Sequence, residues 1–199
     1  SAQFPDHGII GEEWDAKASA GAFDWIVDPI DGTRAFISGV PVWGTLIGLL
    51  HGGRAVAGLM AQPFTGEIYL GLSGTSIYQR HGETQTIHTS GVTELKHAKV
   101  TATSPDIFEQ AGTVAHLNRL RAATLQTRWG LDCYGYCLLA AGHIDIVAES
   151  ALKNVDIAPL IAIIENAGGV VTTWDGGPAE QGGNCVAAAT PELHAAAMK

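Results

Sequence analysis

Short apolar runs punctuated by glycine fill residues 42–90. "VWGTLIGLLHGGRAVAGLMAQP" (42–63) reads as two strands around His51-Gly52-Gly53-Arg54, a hairpin turn. "GEIYLGL" and "TSIYQRHGETQTIHTS" continue with short strands and glycine turns. The stretch therefore predicts an antiparallel meander. "FDWIV" (23–27) predicts a short buried strand before it, and "AKVTATS" (98–104) another strand after it.

Beyond residue 104 the period changes. "IFEQAGTVAHLNRLRAA" is helical in spacing, and "DCYGYCLLAAG" predicts an apolar helix ended by Gly142. "HIDIVAE" predicts a strand, and "VDIAPLIAIIENAGG" a long apolar helix with Gly168-Gly169 past its end. "GVVTTWD" and "CVAAAT" predict strands. "PELHAAAMK" predicts a last helix with proline at its start. The pattern divides the chain into an antiparallel-sheet part (1–104) and an alternating α/β part (105–199). The class is α/β, with layered helices and sheets and a cleft between two subdomains.

Composition narrows the functions this frame can serve. The chain has 199 residues, 46% hydrophobic and 16% charged, enough to bury a sizeable core. A net charge of −9 argues against nucleic acid or an anionic membrane as partner. No run of about 18 apolar residues predicts a membrane span. "SAQFPDHGII" has neither the basic nor the apolar region of a signal peptide. Cys133, Cys137 and Cys185 lack CxxC spacing and read as reduced, core-packed thiols of a cytoplasmic protein.

The candidate chemistry is acidic. In "DPIDGTR" (28–34), Asp28 and Asp31 stand three residues apart at the end of a buried strand. Asp, Pro and Gly are also turn formers, so a plain turn explains them equally well when taken alone. Glu12 and Glu13 follow an apolar pair in "IIGEEW", and Asp156 opens the long apolar helix, where capping is the ordinary role. Carboxylates at the edges of elements that share a core would converge. Converging carboxylates repel unless a cation sits among them. All are hard oxygen ligands with no His or Cys interleaved, which suits Mg²⁺ or Mn²⁺ rather than Zn²⁺.

"GEE", "WIVDPIDGTRAF" and "VDIAPLIAIIENAGGVV" together resemble the inositol monophosphatase superfamily, the Mg²⁺-dependent, lithium-sensitive phosphatases of inositol and sugar phosphates. The resemblance runs from Gly11 to about Ala189. It implies alternating α/β/α/β/α layers, a small-molecule phosphate monoester as substrate, two or three Mg²⁺ with Mn²⁺ as a substitute, and a homodimer. By the same resemblance, Glu12 and Asp28 with the Ile30 carbonyl form a first metal site, and Asp28, Asp31 and Asp156 a second. Thr33 orients the attacking water, and Gly32 and Thr33 offer backbone N–H groups to the phosphate. The family carries two helices before its GEE strand, the second supplying a further Asp. Here only ten residues precede Gly11, so that helical layer is expected to be missing or truncated.

"DGTRAFISGVPVWGTLIGLL", "AQPFTGEIYLG" and "RWGLDCYGYCLLAAGHIDIVAESALKNVDIAPLI" resemble the histidinol-phosphatase branch more than the inositol branch, which typically has Trp where this chain has Val155. Asp132 and Glu149 then fall near the substrate mouth, where carboxylates attract the cationic end of histidinol phosphate. Asp132 could equally cap a helix, and Glu149 could be a surface charge at a strand end. Arg34 could contact phosphate or pair with an acid of the site. An inositol or other sugar-phosphate phosphatase is the alternative of the same chemistry. A non-catalytic metal-binding or dimerisation fragment is the alternative of another class.

Overall fold

The computed structural model describes residues 3–13 and 15–199. Seven strands form the first sheet in chain order: β1 (Gly8–Gly11), β2 (Phe23–Asp31), β3 (Gly44–His51), β4 (Arg54–Gln62), β5 (Glu67–Leu72), β6 (Thr75–Arg80) and β7 (Glu83–Ile87). Strands β3 to β7 are the antiparallel meander that the glycine-punctuated pattern predicts. Gly52 and Gly53 both adopt positive φ, 57° and 81°, as a two-residue hairpin loop requires. Strand β1 differs, running parallel to β2. Strand β2 outruns "FDWIV" because pairing with β3 continues to Asp31.

The second sheet has the order β11 (Val170–Thr173), β12 (Gly183–Ala188), β10 (Ile146–Leu152), β8 (Lys99–Ala102), β9 (Gln126–Trp129). Strand β8, grouped by the sequence with the part before residue 105, pairs with β10 and β9 instead, so the sheets part between Ile87 and Lys99. The periodic stretch after residue 106 is two helices, α2 (Pro105–Gln110) and α3 (Val114–Ala123). They are separated at Gly112, whose φ of 71° no helix continues through. With α6 (Pro191–Ala197) they cover one face of this sheet, packing Phe108, Leu117, Leu120 and Leu193 on Val100, Ile146 and Val186.

Helices α4 (Asp132–Ala140) and α5 (Asn154–Asn166) lie between the sheets. One core joins Leu46, Met60 and Tyr69 of the first sheet to Cys137, Leu160 and Ile164 of the helices and Val147 and Ala187 of the second sheet. The order is sheet, helices, sheet, helices. On its other face the first sheet keeps Ile47, Leu49, Leu59 and Leu70 half-exposed. All three cysteines are buried free thiols, as core packing predicts. No described helix is long and apolar enough to cross a membrane.

A row of glycines seats α5. Gly48 lies opposite Gly58, and Gly58 opposite Gly71, across β3, β4 and β5. A Cβ on Gly58 would stand 1.8 Å from the Pro159 carbonyl oxygen, and one on Gly71 2.4 Å from that of Ala162. No side chain fits between sheet and helix backbone at these positions. This seating sets where the start of α5, and therefore Asp156, sits relative to β2.

Candidate active site

Residues three apart on a regular strand point to opposite faces. Asp28 and Asp31 escape that rule through a bulge. Asp28 stands opposite Leu46 and Asp31 opposite Gly44, so β2 spends one residue more than β3 between the two pairs. Pro29 has no N–H to give a ladder, and its carbonyl accepts a hydrogen bond from Thr45 Oγ1 at 2.8 Å. The Ile30 N–H donates to Asp28 Oδ1 at 2.9 Å. The chain then turns at Gly32, φ 78°, into the short helix α1 (Thr33–Ile37). A Cβ at Gly32 would meet Asp132 Cβ at 3.1 Å and Trp43 Cα at 3.2 Å. Both the left-handed backbone and the close approach demand glycine. Thr33 Oγ1 donates to the Ile30 carbonyl at 3.2 Å.

Two helix starts complete the cluster. The Cys133 N–H, in the first turn of α4, donates to Asp31 Oδ2 at 3.1 Å. Asp156 reaches back along α5, its Oδ2 accepting from the Lys153 N–H at 2.7 Å. It thus caps the helix and faces the aspartates of β2. One carboxylate oxygen from each of Asp28, Asp31 and Asp156 lies within 4.8 Å of the others.

These acids are poorly compensated. Burial, followed by the Glu12 carboxylate, pushes Asp28 up to about 7. Burial also pushes Asp31 up to about 7, with Asp156 and Asp28 adding to it against the Cys133 hydrogen bond. Asp156 is raised as well, mainly by burial. Among the described residues no Lys or Arg pairs directly with any of the three. Three oxygen donors that cannot all ionise unaided fit a hard divalent cation.

Glu12 stands at the edge of this group. Strand β1 stops at Gly11, but the Glu12 N–H still donates to the Val27 carbonyl at 3.2 Å, which keeps the residue beside β2. Its Oε1 holds Lys153 Nζ at 2.8 Å. Glu13 is exposed, and among the described residues no bond ties it to the cluster. Glu12→Gln is therefore expected to cut phosphate release far more than Glu13→Gln. The reverse order of defects would assign the site to the other carboxylate.

The cluster opens into a cleft of about 370 Å³ whose wall includes Asp31, Asp156, Thr33, Arg34, Asp132 and Glu149. Asp132 does not cap α4. That position is Leu131, and Asp132 itself holds a left-handed φ of 45°, strain of the kind kept at functional positions. Burial raises Asp132, while Thr103 and the Arg34 guanidinium hold it down. Arg34 thus faces an acid of the cleft. Glu149 is no surface charge: it is 3% exposed. Its Oε1 accepts from the Thr103 N–H at 2.7 Å and Oγ1 at 2.9 Å, and burial pushes the carboxyl up to about 8. Sequence reasoning missed Thr103, Tyr136 and Lys153, which also line the cleft. Only the phase of α4, placing Tyr136 one turn beyond Asp132, could have pointed to the tyrosine.

Residues 1–199 match the profile of the inositol monophosphatase family. The chain belongs to that family. It is 41% identical over 174 residues to the bifunctional phosphatase IMPL2, chloroplastic, of Arabidopsis thaliana, covering 86% of this chain and 49% of that protein. It is 35% identical over 177 residues to the histidinol-phosphatase of Chlorobaculum parvum, covering 88% and 67%. In structure it is similar to an inositol monophosphatase from Zymomonas mobilis, with a TM-score of 0.89 and 38% identity over 99% of this chain and 76% of the other. This chain thus has the inositol monophosphatase fold and spans about half the length of the Arabidopsis relative.

Proposed function

We propose that this chain carries the catalytic centre of a Mg²⁺-dependent phosphate monoester hydrolase acting on histidinol phosphate. The observation that carries the reading is the placement of acids in the cleft. An aspartate triad, Asp28 buried and Asp31 and Asp156 half-buried, lies beside two further carboxylates of the cleft wall, Asp132 and Glu149. The triad suits cations and the phosphate they neutralise. The second pair suits a substrate whose other end is itself cationic.

In this reading Glu12, Asp28 and the Ile30 carbonyl hold one metal, and Asp28, Asp31 and Asp156 hold a second. The bound metals supply charge neutralisation and a more acidic water. The chain's own groups do the rest. Thr33, with Oγ1 on the Ile30 carbonyl, sits where its hydroxyl can orient the attacking water. Gly32 and Thr33 turn N–H groups toward the phosphate, and Arg34 adds charge at the rim. Asp132 and Glu149 hold the amine and imidazole end, so that water meets phosphorus in line with the departing oxygen. Hydrolysis of inositol or other sugar phosphates is the second reading, favoured by the 38% identity to the Zymomonas enzyme.

Amide substitutions separate recognition from chemistry. A charge-assisted hydrogen bond is worth about 1.5–3 kcal/mol, so Asp132→Asn or Glu149→Gln is expected to lower kcat/KM on histidinol phosphate about 10- to 100-fold. Turnover of p-nitrophenyl phosphate should survive. Free Glu149, raised to about 8, holds its proton near neutrality and must shed it before its oxygen can accept a hydrogen bond from the substrate. KM for histidinol phosphate should therefore fall as pH rises from about 6 to about 8, and Glu149→Gln should flatten the slope. Equal loss on both substrates would place these acids in the catalytic shell, and no loss on either would remove the support for histidinol phosphate.

A further inference from the structure

Two residues of the cleft wall each carry a buried polar atom that lacks any partner among the described residues: the Tyr136 hydroxyl and Glu149 Oε2. Both residues are 3% exposed and both line the cleft. Burial first, and then the Glu149 carboxylate, raise the Tyr136 hydroxyl, with Cys185, Asp31 and Asp156 behind them. The other oxygen of Glu149 is fully occupied by Thr103.

An unpaired buried hydroxyl is destabilising, and the packing of α4 does not require this one. The positions around it are Cys133, Cys137, Leu139 and Ala140, all buried in the common core. A phenylalanine would fill the same volume without the penalty. Orphaned groups that share a cleft wall mark the place where a ligand supplies the missing partners.

We propose that Tyr136 is a specificity-determining residue, its hydroxyl forming with the free Oε2 of Glu149 a two-point subsite for the azole ring of the substrate. The hydroxyl donates to the lone-pair nitrogen, and the carboxylate oxygen accepts from the ring N–H. A neutral imidazole carries both groups in one small ring. An aliphatic ammonium offers donors only and leaves the Tyr136 proton unpaired. This inference rests on the histidinol-phosphate reading and adds to it the group that distinguishes the ring from the amine.

The test is Tyr136→Phe in the Mg²⁺-loaded protein, assayed on histidinol phosphate, inositol monophosphate and p-nitrophenyl phosphate. Melting of the free protein and calorimetric binding of the product histidinol are measured beside it. KM for histidinol phosphate should rise about ten-fold, with kcat within about two-fold, as the loss of one buried hydrogen bond predicts. Histidinol should bind correspondingly more weakly, p-nitrophenyl phosphate turnover should be unchanged, and Tm should stay level or rise. Unchanged KM and histidinol affinity, in a protein that does hydrolyse histidinol phosphate, would overturn this inference alone. Equal loss on every substrate, or a Tm lowered by several degrees, would overturn it by giving the hydroxyl a catalytic or structural role. A wild-type protein that hydrolyses inositol monophosphate but not histidinol phosphate would sink the parent reading and the azole assignment together.

Discussion

Asp28→Asn is expected to abolish phosphate release while leaving the fold intact. Asp28 is the residue common to both proposed metal positions, and it is the most buried of the three clustered aspartates, at 2% exposure. The amide keeps the Oδ1 acceptor for the Ile30 N–H, so the bulge that shapes "DPIDGT" should persist. What disappears is a charge the folded chain tolerates poorly without cations. Burial and Glu12 raise Asp28 to about 7, and burial with its acidic neighbours does the same for Asp31, from an ordinary 3.8 in each case. The folded metal-free protein therefore holds these protons more tightly than the unfolded chain does. The contribution of these two groups to stability is full below about pH 4 and is lost as pH rises toward about 7. Metal-free Asp28→Asn should accordingly melt at or above the wild type at pH 8 and lose its advantage at pH 4. Mg²⁺ should raise Tm strongly in the wild type and weakly in the variant. Wild-type turnover in Asp28→Asn, or an undiminished Mg²⁺ shift, would contradict this placement.

Thr33→Ala is expected to lower kcat about 100-fold or more, the scale of a group that positions a proton or a nucleophile. Thr33 is solvent-accessible at the cleft, at the first turn of α1, and its hydroxyl is fixed by the Ile30 carbonyl at 3.2 Å. The methyl of alanine keeps the helix start and removes only the oxygen. KM should change much less than kcat. Normal kcat with a raised KM would reassign Thr33 to binding.

Much of this site is legible in the sequence because its residues sit in local patterns. The meander shows in its glycine turns, and α5 in an apolar stretch with glycines past its end. "DPIDGT" concentrates two acids, a proline and a glycine within six residues. The bulge that aims both aspartates the same way is not local, since it exists only in the register of β2 against β3. Strand β9 was invisible for a similar reason. Its four residues, "QTRW", carry no alternation of their own and become a strand by pairing with β8. Glu149 read as ambiguous because a carboxylate at a strand end is usually exposed. Its burial follows from Thr103, a residue 46 positions away that supplies two hydrogen bonds. Tyr136 lies within the apolar stretch "DCYGYCLLAAG" and is core in all but its hydroxyl.

The most direct test of the central claim is Mg²⁺-dependent phosphate release by the purified protein, measured in parallel on histidinol phosphate, inositol monophosphate and fructose 1,6-bisphosphate. The predicted result is release from histidinol phosphate that vanishes on chelation, with kcat/KM at least about ten-fold above the other two, the margin of one charge-assisted contact. Equal or faster turnover of inositol monophosphate would contradict the substrate, and release that survives chelation would contradict the metal centre itself.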